Sequence, residues 1–355
     1  MAMYTMTPKE TRAAIIECME VGLVPMVASS PGLGKSSLVK QIGKDFNLNV
    51  IDIRMSQCAP EDLMGLPMRN ANGKAEFVPF AMFPLEGDAI PEGKEGWILF
   101  LDEFNSAPKM VQAAAYKLVL DHEVGQFKLH PNCFIVCAGN LMSDRAVVTQ
   151  TGTAMQSRLV HIEMTVSHKD FMEHAINADF DYRMRGFLDF SPSSLHAFKP
   201  DHQDKTFACP RTWEFVSKLI KGKPFSQVNL KLIAGAISEG MATSFYTFLE
   251  EYEKIPTMAA ILNDPEAINI PHELSTRFAI ISMMVDRFKE ADFSTLAPFI
   301  KRFTPEFQVI YFRGVVRQNP KFRRNPDYVK ATHHLLKFLN DEELDDTNTQ
   351  QSNAA

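Results

Sequence analysis

The sequence predicts a doubly wound α/β domain with a parallel five-stranded sheet, followed by a helical region. Apolar runs of strand length alternate with helical patterns over the first 166 residues, at 24–28, 49–53, 97–101, 132–138 and 159–164. Runs that stay apolar throughout are typical of parallel strands buried on both faces. After about residue 166 the strand patterns stop, and amphipathic helical segments broken by prolines continue to about residue 340.

The order of elements follows from local signals. Thr7, Pro8 and Glu10 predict a helix start, with Thr7 as N-cap and Glu10 closing a capping box. The strand at 24–28 then leads through residues 29–36 into a helix that ends near residue 46. A third helix is predicted over 108–120, between the third and fourth strands. Cys133 and Cys137 stand at even spacing in the fourth strand, so they share a face of the sheet.

Residues 29–36 have the pattern of a phosphate-binding loop between a strand and a helix. Glycines at such a turn let backbone N–H groups surround phosphate oxygens, and the following helix N-terminus adds partial positive charge. Lys35 would reach the β- and γ-phosphates, and the Ser36 hydroxyl would ligate Mg²⁺. Ser29 stands where the pattern usually has its first glycine. The alternative is an ordinary glycine-containing turn. The predicted nucleotide-binding residues are Ser30, Pro31, Gly32, Leu33, Gly34, Lys35, Ser36 and Ser37.

Two later strands end in polar residues that suit the same chemistry. Asp102 closes the strand at 97–101 and is predicted, with Ser36, to hold Mg²⁺. Glu103 would polarise the water that attacks the γ-phosphate. Asn140 follows the next buried strand and would orient that water or contact the γ-phosphate. The plain alternatives are an acidic turn at 102–103 and a turn asparagine at 140. ATP and Mg²⁺ are therefore the expected cofactors.

Composition places few limits on function. The chain has 355 residues, 45% hydrophobic and 23% charged, with a formal net charge of −6. The segment 341–346 contributes five of those negative charges, so the rest of the chain is close to neutral and argues neither for nor against nucleic acid. The five scattered cysteines indicate reduced thiols, and no apolar run reaches membrane length. We expect a cytoplasmic protein.

From about residue 7 to about residue 220 the chain resembles the AAA+ ATPases, and within them the MoxR-like family. The phosphate loop, Asp102-Glu103 and Asn140 look like that family's Walker A, Walker B and sensor 1 motifs. The segments 54–65 and 70–80 are similar to the stretch after the second strand and to the hairpin that follows it. Ser106 stands where the family has Arg. We expect a nucleotide-binding domain over 1–166 and a helical lid over 167–248. Beyond the resemblance, we expect a helical extension over 249–340 and a disordered acidic and polar tail over 341–355.

The same resemblance gives roles to two arginines. Arg158, just before the fifth strand, stands where the family carries an arginine finger that contacts the nucleotide of a neighbouring subunit. Arg211 resembles sensor 2 at the start of a lid helix, where it would contact the nucleotide of its own subunit. Either could instead be an exposed arginine at a helix end. An arginine acting between subunits implies a head-to-tail ring, and the family makes six subunits the expected number.

Three functions are open at this point. The first is a ring-forming ATP hydrolase that remodels or matures a protein partner, which the resemblance suggests could carry a von Willebrand A domain. The second is a DNA-dependent motor or loader, and the third is a nucleotide-locked assembly scaffold. The basic and aromatic segment 311–324 would suit a nucleic-acid surface, but it also fits a helix with a solvated basic face and core aromatics.

Overall fold

The computed structural model describes residues 4–144, 152–252, 255–335 and 338–339. The chain divides into two compact units, Met1–Asp170 with Phe198–Gln203, and Phe171–Ala197 with Asp204–Ala355. The expected disordered tail at 341–355 lies outside the described residues.

The first unit contains a parallel sheet and two small hairpins. Its strands are β1 (Thr5–Met6), β2 (Pro25–Ser29), β3 (Leu48–Arg54), β4 (Leu66–Arg69), β5 (Ala75–Val78), β6 (Gly96–Asp102), β7 (Glu123–Val124), β8 (Phe127–Lys128), β9 (Cys133–Asn140) and β10 (Val160–Met164). The main sheet has the order β1-β10-β2-β9-β6-β3, and every neighbouring pair in it is parallel. The five predicted strands are therefore confirmed. The predicted count of five was one too low, because β1 adds a two-residue edge strand beside β10.

Helices cover both faces of this sheet. In chain order they are α1 (Pro8–Glu20), α2 (Lys35–Asp45), α3 (Pro60–Met64), α4 (Lys109–Asp121) and α5 (Thr153–Gln156). The capping box at the start of α1 is confirmed: the Glu10 N–H donates to Thr7 Oγ1 at 3.3 Å, and the Thr7 N–H donates to Glu10 Oε2 at 2.7 Å. These reciprocal bonds satisfy donors that a helix start leaves unpaired.

Strand β6 shows why the apolar runs were continuous. All seven of its residues are buried. Trp97, Leu99 and Leu101 pack into the core under α4, whereas Ile98 and Phe100 pack into the core on the opposite face. Because side chains alternate between faces, a strand covered on both sides must be apolar at every position. Cys133 and Cys137 join the core under α4, as predicted for a shared face.

Two hairpins lie beside the sheet, and one of them includes the hairpin expected at 70–80. Strands β4 and β5 pair antiparallel around the turn at 70–74, and β7 and β8 pair around Gly125. The two hairpins meet, because a Cβ added to Gly125 would lie 2.9 Å from the Met64 carbonyl oxygen and 3.1 Å from Phe77 Cβ.

The second unit is helical. Its helices are α6 (His168–Asn177, which starts in the first unit), α7 (Tyr182–Phe190), α8 (Pro210–Ile220), α9 (Leu230–Ile237), α10 (Glu239–Tyr252), α11 (Met258–Asn263), α12 (Leu274–Asp286), α13 (Phe293–Ile300), α14 (Pro305–Gln318) and α15 (Pro326–Thr332). The described residues after 166 contain no strand, as the sequence predicted. Pro210, Pro305 and Pro326 occupy the first turns of α8, α14 and α15, where proline needs no N–H partner.

Aromatic side chains fill the interior of this unit. Phe187 contacts Trp213 and Phe245 with ring centroids 5.5 and 5.2 Å apart. A second group joins Phe293 to Phe322 at 5.0 Å and to Tyr328 at 6.4 Å. These contacts account for much of the high phenylalanine content. No helix in the described ranges combines the length and apolar character needed to cross a bilayer.

Candidate nucleotide site

The predicted site residues other than Arg158 and Arg211 lie at the carboxyl ends of four neighbouring strands. In the sheet, β2 lies beside β9, β9 beside β6, and β6 beside β3. Register places Ser29 opposite Asn140 and Arg54 opposite Asp102. The carboxyl edge of a parallel sheet is where open α/β folds bind ligands, because loops and helix N-termini converge there.

The phosphate loop joins β2 to α2. Gly34 is the N-cap of α2 with φ +91°, a left-handed conformation that side-chain-bearing residues rarely adopt. Gly32 and Leu33 are buried, and Ser37 is exposed on the first turn of α2. The predicted residues Ser30, Pro31, Gly34, Lys35 and Ser36 are half-buried. This arrangement brings the loop backbone and the helix N-terminus to one place, as phosphate binding needs.

The Lys35 ammonium points back across the sheet edge. Its Nζ donates to the Ser29 carbonyl oxygen at 3.1 Å, to Ser29 Oγ at 3.0 Å and to Asn140 Oδ1 at 3.4 Å. Ser29 is fully buried, and its hydroxyl lies 3.0 Å from the Ser30 carbonyl oxygen. Ser29, which stands where the usual loop has its first glycine, therefore orients Lys35.

Ser36 and Asp102 form the predicted metal-binding pair. The Ser36 hydroxyl donates to Asp102 Oδ2 at 2.8 Å, and the Glu103 N–H donates to Asp102 Oδ1 at 2.9 Å. Asp102 is buried. A hydroxyl and a carboxylate are hard oxygen ligands of the kind that Mg²⁺ accepts, with nucleotide phosphates and water completing its shell. The described residues contain no group of three or more His, Cys, Asp or Glu that would hold a metal alone.

Glu103 lies at a sharp turn after β6. Its φ of +56° is unusual for a residue other than glycine. Arg54 Nη1 lies 3.3 Å from Glu103 Oε1, and the Ser56 hydroxyl donates to Glu103 Oε2. Non-glycine residues in left-handed conformations often occur at functional sites, where surrounding contacts fix them. The carboxylate is thus held at the sheet edge, next to the Ser36–Asp102 pair.

Asn140 is fixed by a second asparagine. Asn105 Nδ2 donates to the Asn140 carbonyl oxygen at 2.7 Å, and the Asn140 N–H donates to Asn105 Oδ1 at 3.1 Å. Gly139 makes this contact possible, since an added Cβ there would lie 2.2 Å from Asn105 Oδ1. The glycine before Asn140 therefore leaves room for the Asn105 amide.

The two predicted arginines lie elsewhere. Arg158 is exposed after α5, in the first unit, and its Nη1 donates to the Ala154 carbonyl oxygen at 2.7 Å. Among the described residues, no hydrogen bond or ion pair joins it to Lys35 or Asp102. Arg211 is exposed in the first turn of α8, in the second unit. The contacts within the first unit thus unite Lys35, Ser36, Asp102, Glu103 and Asn140 but not Arg158.

Sequence reasoning gave no role to Arg54, Ser56 or Asn105. Arg54 directly follows a predicted strand, so the same strand-end argument that selected Asp102 would have found it. Ser56 and Asn105 lie in short 3₁₀ turns, and their contacts depend on how β3, β6 and β9 are ordered. Neither position carries a periodic signal.

Comparison with known proteins agrees with this geometry. A family model described as an AAA domain of the dynein-related subfamily matches residues 30–131. Among solved structures, a candidate ATPase from Cytophaga hutchinsonii is 13% identical, with 93% of this chain and 87% of that chain covered and a TM-score of 0.34. A mutant of RuvB from Thermotoga maritima is 14% identical, with 93% and 90% covered and a TM-score of 0.32. The family match over residues 30–131 supports an AAA-type ATPase domain there, and the first unit has an α/β fold with a parallel sheet.

Proposed function

We propose that this chain is a MoxR-like, ring-forming ATP hydrolase that uses turnover to remodel or mature a protein partner. The observation that carries the proposal is the contact network at the carboxyl edge of the sheet. Ser36 is bonded to Asp102, Lys35 is bonded to Asn140, and Glu103 follows Asp102 directly. The residues proposed for phosphate binding, metal binding and water activation are therefore adjacent to one another.

Each side chain has one task in this proposal. Lys35 and the backbone N–H groups of the loop bind the β- and γ-phosphates. Ser36 and Asp102 hold Mg²⁺, which supplies charge neutralisation when it is bound. Glu103 accepts a hydrogen bond from the attacking water, and Asn140 orients the water or the γ-phosphate. Hydrolysis here rests on positioning and electrostatics, since phosphoryl transfer needs little covalent chemistry from the protein.

The position of Arg158 supports a nucleotide site that is shared between two subunits. It is exposed, and the contacts of the described residues do not connect it to the phosphate loop of its own chain. A planar guanidinium with permanent charge suits the γ-phosphate of a neighbouring subunit. Head-to-tail interfaces of this kind close into rings, and the MoxR-like resemblance favours a hexamer. Arg211 would report nucleotide binding within its own subunit.

Mixing two inactive variants tests the shared site. Lys35→Ala removes phosphate binding, and Arg158→Ala removes the donated arginine. We expect each variant alone to hydrolyse ATP poorly and the mixture to recover activity, because mixed rings contain interfaces with an intact loop and an intact arginine. Lys94→Ala, at an exposed loop position, is the control for nonspecific effects of removing a cation. Mixed rings that are shown to co-assemble but recover no activity would refute the shared site.

The partner proposal draws support from the β4–β5 hairpin. Both strands are largely exposed, although they carry Leu66, Met68, Phe77 and Val78 with exposed fractions of 46%, 55%, 44% and 37%. Clustered exposed apolar side chains mark protein-binding surfaces more often than scattered ones. We propose that this hairpin contacts the protein partner, which the resemblance suggests is a von Willebrand A domain protein.

Capture from the native cell tests the partner proposal. Glu103→Gln protein in ATP should retain the partner, because binding continues while hydrolysis is slowed. Adding Leu66→Ser and Met68→Ser should abolish the capture while leaving ATP binding unchanged. Capture that persists in this triple variant would exclude the hairpin as the contact surface. Enrichment of DNA instead of protein would contradict the protein-partner assignment.

A further inference from the structure

A basic surface lies at the end of the described chain. The 3₁₀ turn Pro320–Arg324 and helix α15 bury Phe322 and Tyr328, which are 2% and 7% exposed, with ring centroids 5.9 Å apart. Because these rings turn inward, the charged residues around them face solvent. We define the basic surface by its four exposed cations, Lys321, Arg323, Arg324 and Lys330.

The four cations have few acidic neighbours along the chain. Residues 321–330 contain these four basic residues and one acidic residue, Asp327, for a net charge of +3. Glu290 lies at the margin of the basic surface, where its Oε1 accepts from Asn319 Nδ2 at 2.5 Å. No salt bridge found in the described part of the chain joins the four cations to a carboxylate. Concentrated charge of this kind favours an anionic occupant.

The aromatic residues of the segment decide against nucleic acid. Single-stranded nucleic acid is bound by basic residues together with exposed aromatic faces on which bases stack. Here Tyr311, Phe312 and Phe322 are 0%, 0% and 2% exposed, so none offers a face to a base. The expected occupant is therefore an acidic polypeptide, which needs cations but no stacking surface.

The chain itself carries such a segment a few residues beyond Phe338. Arg313 Nη2 donates to the Phe338 carbonyl oxygen at 2.7 Å, which fixes the chain beside α14. Burial raises the pKa of Tyr328, and the charges of Arg323 and Arg313 partly oppose that rise, so both arginines lie near that ring. The acidic segment begins three residues after Phe338, at Asp341. An extended chain covers about 10 Å over three residues.

We propose that the acidic segment 341–346 binds the basic surface of its own chain. The segment carries five carboxylates and no cation, which complements the net charge of +3 over residues 321–330. The short tether keeps the segment at a local concentration in the millimolar range, so individually weak surface ion pairs suffice. Binding closes the basic surface to other anionic partners and is weakened by salt.

Carbodiimide cross-linking of the full chain tests this proposal directly. The reagent joins lysine amines to carboxylates in contact, so Lys321 or Lys330 should become linked to the peptide that contains residues 341–346. Mass spectrometry of the digested protein measures the yield. We expect the link at low ionic strength and its loss at about 0.5 M NaCl, where the Debye length falls to roughly 4 Å. Mixing isotope-labelled and unlabelled protein separates links within a chain from links between chains.

Two variants of equal charge make the test specific. Arg323→Glu with Arg324→Glu should lower the yield about tenfold, since two attractive contacts become repulsive. Lys205→Glu with Lys231→Glu makes the same charge change at exposed positions outside the basic surface and should leave the yield unchanged. Replacing the five carboxylates of 341–346 by their amides should abolish the link.

Three results would overturn the proposal. The first is the absence of the link at low ionic strength. The second is a link formed only between chains. The third is an equal fall in yield for the two charge-matched variants. A single-stranded oligonucleotide that binds the unmodified chain through the basic surface, with no cross-link present, would assign that surface to nucleic acid instead.

Discussion

Removing the Asn105 side chain tests how Asn140 is held. Asn105 bridges the backbone of Asn140 through two hydrogen bonds of 2.7 and 3.1 Å and is itself buried. In Asn105→Ala both bonds are lost, and the Asn140 N–H and carbonyl oxygen lose these partners. The Asn140 side chain, which contacts Lys35, then has no fixed support.

The expected loss of stability in Asn105→Ala follows from those two hydrogen bonds. Each hydrogen bond contributes about 1 kcal/mol to stability, and leaving a buried group unpaired adds to the loss, so we expect a cost of about 2–3 kcal/mol. Hydrolysis should fall more than nucleotide binding, because displacing a positioning group by about 1 Å lowers catalysis by up to about 10²-fold. The affinity for ATP should change little, since Lys35 and the loop backbone remain.

Gly139→Ala disturbs the same contact from the other side. The new Cβ would lie 2.2 Å from Asn105 Oδ1 and 2.6 Å from Asn105 Cγ. The Asn105 amide must then move by about 1 Å to reach a normal contact distance. In the double variant the amide is absent and the clash with it disappears. Adding Gly139→Ala to Asn105→Ala should therefore cost much less than Gly139→Ala alone.

Urea unfolding and phosphate release measure the two effects. The only tryptophans are Trp97 in the first unit and Trp213 in the second, so a Trp213→Phe background lets fluorescence report the first unit. Gly235→Ala is the control, because its Cβ meets nothing within 4 Å. Fully additive costs in the double variant, or a Gly139→Ala protein as stable as its parent, would refute the clamp between Asn105 and Asn140.

Three further outcomes are expected. Ser36→Ala should raise the Mg²⁺ concentration for half-maximal hydrolysis at least about tenfold, because Asp102 alone then remains to hold the ion; an unchanged requirement would argue against this pair. Burial lowers the pKa of His122, so the unfolding free energy should decline as pH falls below about 6.5, and His122→Asn should weaken that decline in urea titrations. Burial raises the pKa of both Cys58 and Cys133, to about 12 for Cys133, but Cys58 is only half-buried, whereas the other four cysteines are buried. One thiol should therefore react with a disulfide reagent before the others, and Cys58→Ser should remove that phase.

The strands were predictable because burial on both faces leaves a strong signal. The run at 97–101 has no polar interruption, and β6 is buried at every position. Strand β1 was not predicted, since two residues cannot show a period and their pairing with β10 is fixed by the sheet. The start of α1 was predictable because Thr7, Pro8 and Glu10 act within one turn of each other.

The candidate site residues were predictable where they directly follow a strand. They were not predictable where their role depends on contacts with residues from neighbouring strands. Asp102, Glu103 and Asn140 each end or follow an apolar run, so the parallel sheet alone brings them to one edge. The contact of Asn105 with Asn140 joins residues 35 positions apart through adjacent strands. The role of Gly139 likewise depends on the Asn105 amide beside it. Strand order, which periodicity does not encode, decides these contacts.

Hydrolysis by Glu103→Gln tests the central claim most directly. The account predicts that phosphate release falls about 10²-fold or more, while ATP binding stays near the wild-type level, because the amide keeps the shape of the side chain but is a poor proton acceptor. Glu92→Gln, at an exposed loop position, controls for loss of a carboxylate and should hydrolyse ATP at the wild-type rate. Equal phosphate release by Glu103→Gln and wild type would contradict the assignment of this edge of the sheet as a hydrolytic site.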